Sequence, residues 1–577
     1  MRKKLVIIGL GVLFLLSILV NGSPFIFGDG YGYFHNAKTL VTTGSFLELK
    51  EPEYFPYTGH AVTEQNGKFV TSYPPGSSIL LWPFLTVSKF FDSGTIYTDY
   101  YKAFDGHSVA DGLAVLLAAS FYAFLSLVII YKILKSLGFN SKISLISVVV
   151  VYIGSYALSY TEQFASYSHI YEIFAVSTLL YFLIQFGKKF EYKYTLFAGA
   201  AAGLLVLIRP VDVVIVIPIL FFVFAYRNTK SSILFILGAI PSALIFFLYN
   251  TINFGNPLST GYGSSEKLFD FTKFNLVNLL FSDVRGWYIY SPVMLIGSIG
   301  LLIYAWRNRP SFLIYLAPCI LLILTYSFWP NWWAGDSLGQ RFFLVLIPFM
   351  AIGIAVSLRG AQRQSNLIQT IAIFFIATLT IYSLTITILY RITPTDELYK
   401  TNAVTAEKYP EVTPAERFTP FDILNYHKEL IDQGEFKFPN KLIQGFNGGR
   451  SLLLLALGQT YPIAKLEKIS DLTFIIHLIP NNINSPVISN VRIGIQQSSN
   501  YYVFTFKNVD LSKTSEIQLD CSIESDCVIK NSINEFTKEV LSTTEITSKQ
   551  IELSSDLKID FEAGENIKLV DYKLKNL

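Results

Sequence analysis

The sequence predicts an all-α polytopic membrane domain followed by a soluble, β-rich domain. Of its 577 residues 52% are hydrophobic and only 15% are charged, whereas soluble proteins carry about 25% charged residues. Long apolar runs recur as far as Tyr390 and then stop. Short alternating runs follow Arg391. We therefore place the membrane domain at residues 1–390 and the soluble domain at 391–577.

The membrane domain contains about eleven apolar runs that approach the roughly 20 residues needed to cross a bilayer. They lie at 5–21, 110–132, 143–160, 170–187, 194–209, 211–226, 232–249, 289–306, 311–328, 341–358 and 366–390. The first run has a basic start, but Asn21 to Pro24 is a poor cleavage site. We interpret it as an uncleaved transmembrane helix.

Lys and Arg concentrate in alternate linkers between these runs, although the net charge is only +3. The positive-inside rule assigns those linkers, and the N-terminus, to the cytoplasm. The opposite linkers hold nearly all the acids, histidines and tryptophans. This pattern predicts a protein of the plasma (cytoplasmic) membrane whose active site and C-terminal domain are extracytoplasmic. No basic tract indicates a nucleic-acid partner.

The first outer loop, residues 21–110, is long for a connection. Within it, Ser77 to Phe91 is apolar but short and contains Pro83. A crossing here would place the basic linker at 132–142 outside. We therefore predict an interfacial helix in the plane of the membrane.

The C-terminal region reads as β-strands because apolar residues alternate in runs such as Leu472 to Leu478 and Tyr501 to Phe506. Two of the three cysteines, Cys521 and Cys527, lie close together there. They are suitably placed for a disulfide in an oxidising compartment. Cys319 lies in an apolar run and is predicted to be a core residue.

Asp29 is the candidate reactive acid, because it stands between two glycines in GDGYGYF, just after the first run. Ionisable residues near membrane depth are costly and are usually functional or paired. Further such residues cluster at predicted outer helix ends. They are Glu162, His169, Glu172, Arg209, Asp212, Arg285, Asp336 and Arg341.

These residue types suit group transfer from a membrane-borne phosphate donor. A carboxylate such as Asp29 can act as general base toward an acceptor hydroxyl. Arginine offers a forked, permanently charged donor set for a leaving phosphate. The amphipathic rings of Tyr31, Tyr33, Trp332 and Trp333 suit sugar faces.

Simpler interpretations stay open for each of these residues. Asp29 can be a solvated loop charge, and His169 and Glu172 can form a hydrogen-bonded brace with Glu162. Arg209 can snorkel to the interface, and the tryptophans can belong to an aromatic belt. At the level of function, a transporter or lipid flippase, and a polysaccharide polymerase or ligase with a diphosphate-linked donor, are the alternatives.

Several stretches, taken in order, resemble a known family. GDGYGYFHNAKTLVTTGSF resembles the first outer loop of GT-C membrane glycosyltransferases, particularly the polyprenyl-phosphate-sugar-dependent protein O-mannosyltransferases and aminoarabinose lipid A transferases. NGKFVTSYPPGSSILLWPF, LIRPVDVVIVIP and NWWAGDSLGQRFFLVLIPF are similar to later motifs of these enzymes. The resemblance covers Met1 to Tyr390. Gly30 departs from it, because many relatives have Glu there, and WWAGD does not meet the Trp-Trp-Asp-Tyr-Gly signature of oligosaccharyltransferase subunits.

The resemblance implies a GT-C-like fold and a glycosyltransferase with Asp29 as catalytic base. Lys68, Arg209 and Arg341 would bind the donor phosphate, with Arg285 as a further candidate. The expected substrate-binding residues are Tyr31, Tyr33, His169, Glu172, Trp332, Trp333 and Asp336. The implied partners are a polyprenyl-phosphate-linked sugar donor, a protein, lipid or glycan acceptor, and membrane lipid. No cofactor or metal ligand is predicted, and a divalent metal stays open. One direct displacement would invert the sugar carbon.

Overall fold

The computed structural model describes most of the chain as far as Gly434 and a set of strands beyond it. The described residues are 11, 14, 26, 28–45, 62–65, 68–90, 95–96, 109–258, 269–306, 309–335, 337–393, 403–413, 416–434, 463–470, 473–479, 487–497, 500–510, 516–523, 526–529, 536–542, 561–562 and 567–576. They fall into two compact units. The helical unit draws on Met1–Ile18, Ser72–Leu80 and Ala118–Leu442, and the second unit on Leu19–Thr71, Leu81–Leu117 and Ile443–Leu577.

Helices dominate the chain up to Asp432. In order they are α1 (Gly30–Thr43), α2 (Gly76–Ser88), α3 (Val109–Ser136), α4 (Ser141–Ile153), α5 (Ala157–Glu162), α6 (His169–Lys189), α7 (Tyr192–Ile208), α8 (Val213–Tyr226), α9 (Thr229–Phe254), α10 (Leu276–Phe281), α11 (Trp287–Tyr290), α12 (Val293–Ala305), α13 (Arg309–Ser327), α14 (Arg341–Ala361), α15 (Asn366–Ile392), α16 (Ala403–Lys408) and α17 (Pro420–Asp432). Helix α13 contains a π-helical turn at Phe312–Leu316, and α14 begins with a 3-10 turn at Arg341–Leu346.

Six helices of the described residues are long and apolar enough to cross a membrane: α3 from Ala110, α6, α9, α13, α14 and α15. Each coincides with a run predicted from the sequence. These helices support an integral membrane protein. The side on which each end lies stays a prediction.

Four other predicted spans form helices of 13 to 17 residues, shorter than the roughly 20 residues of a typical crossing. Helices α4 and α12 have 13 residues each, which gives about 20 Å of helix against a hydrocarbon core of about 30 Å. The apolar runs were longer than the helices because α4 ends at Gly154 and α12 starts only after Pro292. Helices α7 and α8 have 17 and 14 residues. The predicted first span, 5–21, lies outside the described residues apart from Gly11 and Phe14.

The predicted interfacial segment is helical, as α2. Its position in the plane of a membrane stays a prediction.

Glycines bring two helix pairs into backbone contact. A Cβ on Gly199 of α7 would lie 1.9 Å from the Phe235 carbonyl oxygen of α9, and one on Gly353 of α14 would lie 1.8 Å from the Gly297 carbonyl oxygen of α12. Such separations exclude any side chain. Small residues are a common means of close helix packing in membranes, where apolar side chains gain little by leaving lipid.

The helices differ in how much of their surface the protein covers. In the apolar stretch of α14, 83% of the residues are buried, whereas the figure is 22% for α9 and 28% for α15. Large apolar side chains of α15, including Ile371 and Phe374, are exposed. Lipid tails would cover such a surface.

In the second unit, α1 packs beside a two-stranded antiparallel sheet of β1 (Val62–Gln65) and β2 (Lys68–Thr71). The Lys38 ammonium of α1 bridges both carboxylate oxygens of Asp111, at 2.9 and 2.7 Å. Ser88 donates a third hydrogen bond to Asp111, at 3.4 Å. This buried carboxylate connects α1, α2 and the start of α3.

The remaining strands form two antiparallel five-stranded sheets. The strands are β3 (Thr95–Ile96), β4 (Ile463–Ser470), β5 (Thr473–Ile479), β6 (Val487–Gln497), β7 (Asn500–Asp510), β8 (Glu516–Ile523), β9 (Asp526–Ile529), β10 (Phe536–Ser542), β11 (Phe561–Glu562) and β12 (Ile567–Asn576). Their orders are β10-β7-β6-β12-β11 and β3-β4-β5-β8-β9. A separate soluble β-rich domain, and the disulfide between Cys521 and Cys527, stay predictions.

The residues just after Tyr390 belong with the helices. The helical unit includes α16 and α17. His427 of α17 contacts the Thr393 hydroxyl at 2.9 Å. Lys408, at the end of α16, pairs with Asp283 at 3.0 Å. The compact helical body therefore continues past the predicted membrane boundary.

Candidate functional site

A buried polar cluster forms where α6 begins. Ser168 precedes the helix, and its hydroxyl donates to Glu172 Oε1 at 2.5 Å. His169 Nδ1 lies 3.4 Å from the same oxygen. Both His169 and Glu172 are buried. A carboxylate in the first turn also interacts favourably with the positive end of the helix dipole.

Arg209 joins this cluster from the end of α7. Pro210 has no N–H with which to continue the helix, and Arg209 itself is extended, with φ −146° and ψ 108°. Its Nη1 lies 3.3 Å from His169 Nδ1 and 3.6 Å from Glu172 Oε1. The side chain keeps 14% of its surface exposed.

Arg341 reaches the same place from the start of α14. The Arg209 guanidinium lies 4.9 Å from the centre of the Phe342 ring, and the Arg341 guanidinium 5.8 Å from it. Arg341 also lies 5.2 Å from the Tyr167 ring. Phe342 is fixed by stacking on Tyr326, with ring centres 4.2 Å apart. Two predicted donor-binding arginines therefore share one aromatic surface.

Two buried carboxylate oxygens here make no hydrogen bond to the described residues. They are Glu172 Oε2 and Oδ2 of Asp212, which lies in the turn just after Arg209. A buried acceptor left without a donor is costly. The cluster therefore has hydrogen-bonding capacity beyond the contacts seen within the protein.

The Tyr-Pro-Pro-Gly motif packs directly behind Arg209. A Cβ on Gly76 would lie 2.4 Å from Ile208 N and 2.5 Å from the Leu207 carbonyl carbon. Tyr249 of α9 donates to the Tyr73 carbonyl oxygen at 3.5 Å. The motif is thus part of the wall that holds the end of α7.

Trp332 and Trp333 are buried, and their predicted contact with sugar stays a prediction. Trp332 Nε1 donates to Glu411 at 3.2 Å, and Trp333 Nε1 donates to Glu416 at 2.9 Å. Glu416 Oε1 and Arg341 Nη2 each lie 3.7 Å from the point that a Cβ on Gly335 would occupy. The tryptophans therefore attach the segment after α15 to the loop before α14.

Arg285 lies apart from this cluster and is fully buried. Its Nη1 donates to the carbonyl oxygens of Val284, at 2.7 Å, and Phe418, at 3.1 Å. The guanidinium also lies 4.0 Å from the Phe418 ring. Its predicted role in donor binding stays a prediction.

Asp29 belongs to the second unit, where it precedes α1. It is half-buried, and its side chain does not cap the helix. Tyr31 and Tyr33 of α1 are 9% and 4% exposed. Their predicted contact with sugar stays a prediction. Asp336 and the side chain of Lys68 lie outside what the structure describes.

Several contributors were not found from the sequence. Glu411 and Glu416 resemble solvated acids of a polar segment, and nothing local pairs them with tryptophans about 80 residues earlier. Phe342 and Tyr167 look like ordinary packing residues. Ser168 had a detectable signal, since Ser before a helix with an acid in its first turn is typical of a helix start.

Among the described residues, no group of three or more His, Cys, Asp or Glu side chains is arranged to hold a metal ion. Comparison with known proteins assigns no family. No family model matches the chain, and no curated protein matches it.

Solved structures of an oligosaccharyltransferase from Archaeoglobus fulgidus are similar. The apo form aligns at 13% identity and a TM-score of 0.41, over 72% of this chain and 60% of that one. A complex with zinc and sulfate aligns at 14% identity and a TM-score of 0.43, over 70% of this chain and 56% of that one. A complex of the archaeal enzyme AglB with an inhibitory peptide and a dolichol-phosphate aligns at 15% identity and a TM-score of 0.40, over 72% of this chain and 61% of that one. The chain thus spans about three fifths of the length of these structures, and a similarity of this size assigns no family.

Proposed function

We propose that the protein is a membrane glycosyltransferase that moves a sugar from a polyprenyl-phosphate carrier to a protein, lipid or glycan acceptor. The observation that carries the proposal is the pair of guanidinium groups, Arg209 and Arg341, which lie 4.9 and 5.8 Å from the centre of the Phe342 ring. Two fixed cations at the ends of apolar helices suit the phosphate of a lipid whose tail stays in the membrane. The motif resemblance of residues 1–390 supports the same assignment.

In the proposed reaction Asp29 is the general base. It takes the proton of the acceptor hydroxyl as the oxygen attacks the sugar carbon, and the bond from that carbon to the phosphate oxygen breaks. Arg209 and Arg341 neutralise the negative charge that the departing polyprenyl phosphate gains. Lys68, Arg285 and Asp336 stay candidate contributors on sequence grounds. The sheets of residues 463–576 are proposed to form an extracytoplasmic domain.

A transfer assay with two donors tests the proposal. Purified protein in lipid nanodiscs is supplied with a radiolabelled sugar on a polyprenyl monophosphate, and in parallel on a polyprenyl diphosphate, with membrane extract as acceptor. We expect label in acceptor from the monophosphate only. Transfer from the diphosphate alone would favour the polymerase or ligase. Movement of either lipid between leaflets without transfer would favour the flippase.

A further inference from the structure

We infer that Glu172 and His169 are positioning residues, which orient the Arg209 guanidinium toward a phosphate monoester of a lipid carrier. This inference rests on the proposed function for the identity of the anion. The contacts that carry it are the three that meet around Arg209 Nη1 and Glu172 Oε1.

The hydrogen-bond chemistry assigns a role to each partner. Arginine has only donors and stays protonated, so in a hydrogen bond with Arg209 Nη1, 3.3 Å away, His169 Nδ1 accepts, whereas a hydrogen bond with Glu172 Oε1, 3.4 Å away, needs Nδ1 to donate. Glu172 Oε1 lies 3.6 Å from Arg209 Nη1 and forms an ion pair with it. One guanidinium nitrogen is thus held between an imidazole and a carboxylate.

The partners are themselves held in place. The Ser168 hydroxyl donates to Glu172 Oε1 at 2.5 Å, and the Tyr160 ring meets the His169 ring edge to face, with centres 5.1 Å apart. His169 and Glu172 are each at most 1% exposed. Arg209, by contrast, is 14% exposed along its side chain. The arrangement is therefore a buried base that fixes one end of a guanidinium and leaves a part of the same side chain accessible.

A positioning role of Glu172 and direct contact of Glu172 with substrate have different consequences. If Glu172 bound substrate itself, the loss of its charge would act whether or not Arg209 were present. If it acts through Arg209, its loss matters only while Arg209 is present. A double-mutant cycle distinguishes the two cases.

The experiment measures binding of undecaprenyl phosphate to the full-length protein in detergent, by native mass spectrometry. The variants are Glu172→Gln, Arg209→Ala and the double variant, with His169→Leu and His169→Asn as a second pair. Tyr152→Phe is the matched control, because it removes a hydroxyl from the hydrogen bond with Thr161 (3.0 Å) elsewhere in the helical unit. A melting curve of each variant checks folding.

We expect Glu172→Gln and His169→Leu to weaken binding about tenfold, and Glu172→Gln to have no further effect in the Arg209→Ala background. His169→Asn keeps an acceptor near the Nδ1 position and should retain binding within about threefold of the wild type. Tyr152→Phe should bind as the wild type does. Equal losses from Glu172→Gln in both backgrounds, or unchanged binding in Glu172→Gln, would overturn the inference.

Failure of the proposed function gives a different result. If the wild type binds the lipid phosphate with the expected coupling but transfers no sugar, the function is wrong and the positioning role stands. If the wild type transfers sugar and Glu172→Gln binds and transfers equally well, the function stands and the positioning role is wrong.

Discussion

Gly76→Ala tests the packing of α2 against the end of α7, just before Arg209, because the added methyl group would meet backbone atoms only. Its Cβ would lie 2.4 Å from Ile208 N, 2.5 Å from the Leu207 carbonyl carbon and 2.7 Å from the Ile208 Cα. Ordinary contacts of this kind exceed 3.4 Å, so α2 and α7 must separate by about 1 Å. No side chain can rotate away to relieve the clash. Overpacking of this kind costs about 1–3 kcal/mol.

The displacement also reaches Arg209, which directly follows Ile208. Its hydrogen bond to His169 is already 3.3 Å long, and a further shift of about 1 Å breaks it. We therefore expect Gly76→Ala to lower both the unfolding midpoint and the affinity for a polyprenyl phosphate.

Thermal unfolding in detergent and lipid-phosphate binding measure the two effects. Gly360→Ala is the matched control, because Gly360 lies in α14 with no heavy atom within 4 Å of its added Cβ. It should keep the wild-type affinity and gain up to about 1 kcal/mol from helix propensity. If Gly76→Ala unfolded at the wild-type midpoint and bound normally, the reasoning about this contact would be refuted.

Three further predictions concern packing and charge in the helical unit. Gly353→Ala should destabilise the protein by about 1–3 kcal/mol in thermal unfolding, because the added Cβ would lie 1.8 Å from the Gly297 carbonyl oxygen. An unfolding midpoint equal to that of the wild type would contradict this contact. Glu416→Ala should lower the free energy of unfolding by about 1–3 kcal/mol, because Glu416 accepts hydrogen bonds from both Trp333 and Thr413. Glu411 is more exposed, so Glu411→Ala should lower it by under about 1 kcal/mol. Equal losses of stability in the two variants would contradict this prediction. Burial acts to raise the pKa of Asp283, but hydrogen bonds from Tyr409 and Lys408 outweigh it and leave that pKa below its ordinary value. The ion pair of Asp283 with Lys408 therefore adds stability above the unfolded pKa of about 3.9, and this stability is lost as pH falls through the folded pKa. The difference in unfolding midpoint between the wild type and Asp283→Asn should therefore disappear on acidification. A difference that stays constant with pH would exclude this linkage.

The sequence was sufficient to predict the long helices, because a run of about 20 apolar residues has few other stable states. It was less reliable for α4 and α12. Hydropathy averages across Gly154 and Pro292, while the helix itself ends or begins there.

The site was partly predictable. His169, Glu172, Arg209 and Arg341 are conspicuous as charged or polar residues at the ends of apolar runs, and the structure brings them together. The contacts of Gly76 with Leu207 and of Trp333 with Glu416 join distant parts of the chain. Only tertiary packing determines such contacts, so no local pattern predicts them.

Asp29 provides the most direct test of the proposed reaction, because the proposal makes this acid the general base of sugar transfer. Transfer of labelled sugar from a polyprenyl monophosphate should be compared in wild type and Asp29→Asn, with donor binding measured on the same preparations. The account predicts a loss of transfer of about 100-fold or more with donor affinity close to that of the wild type. Transfer by Asp29→Asn at the wild-type rate would contradict it.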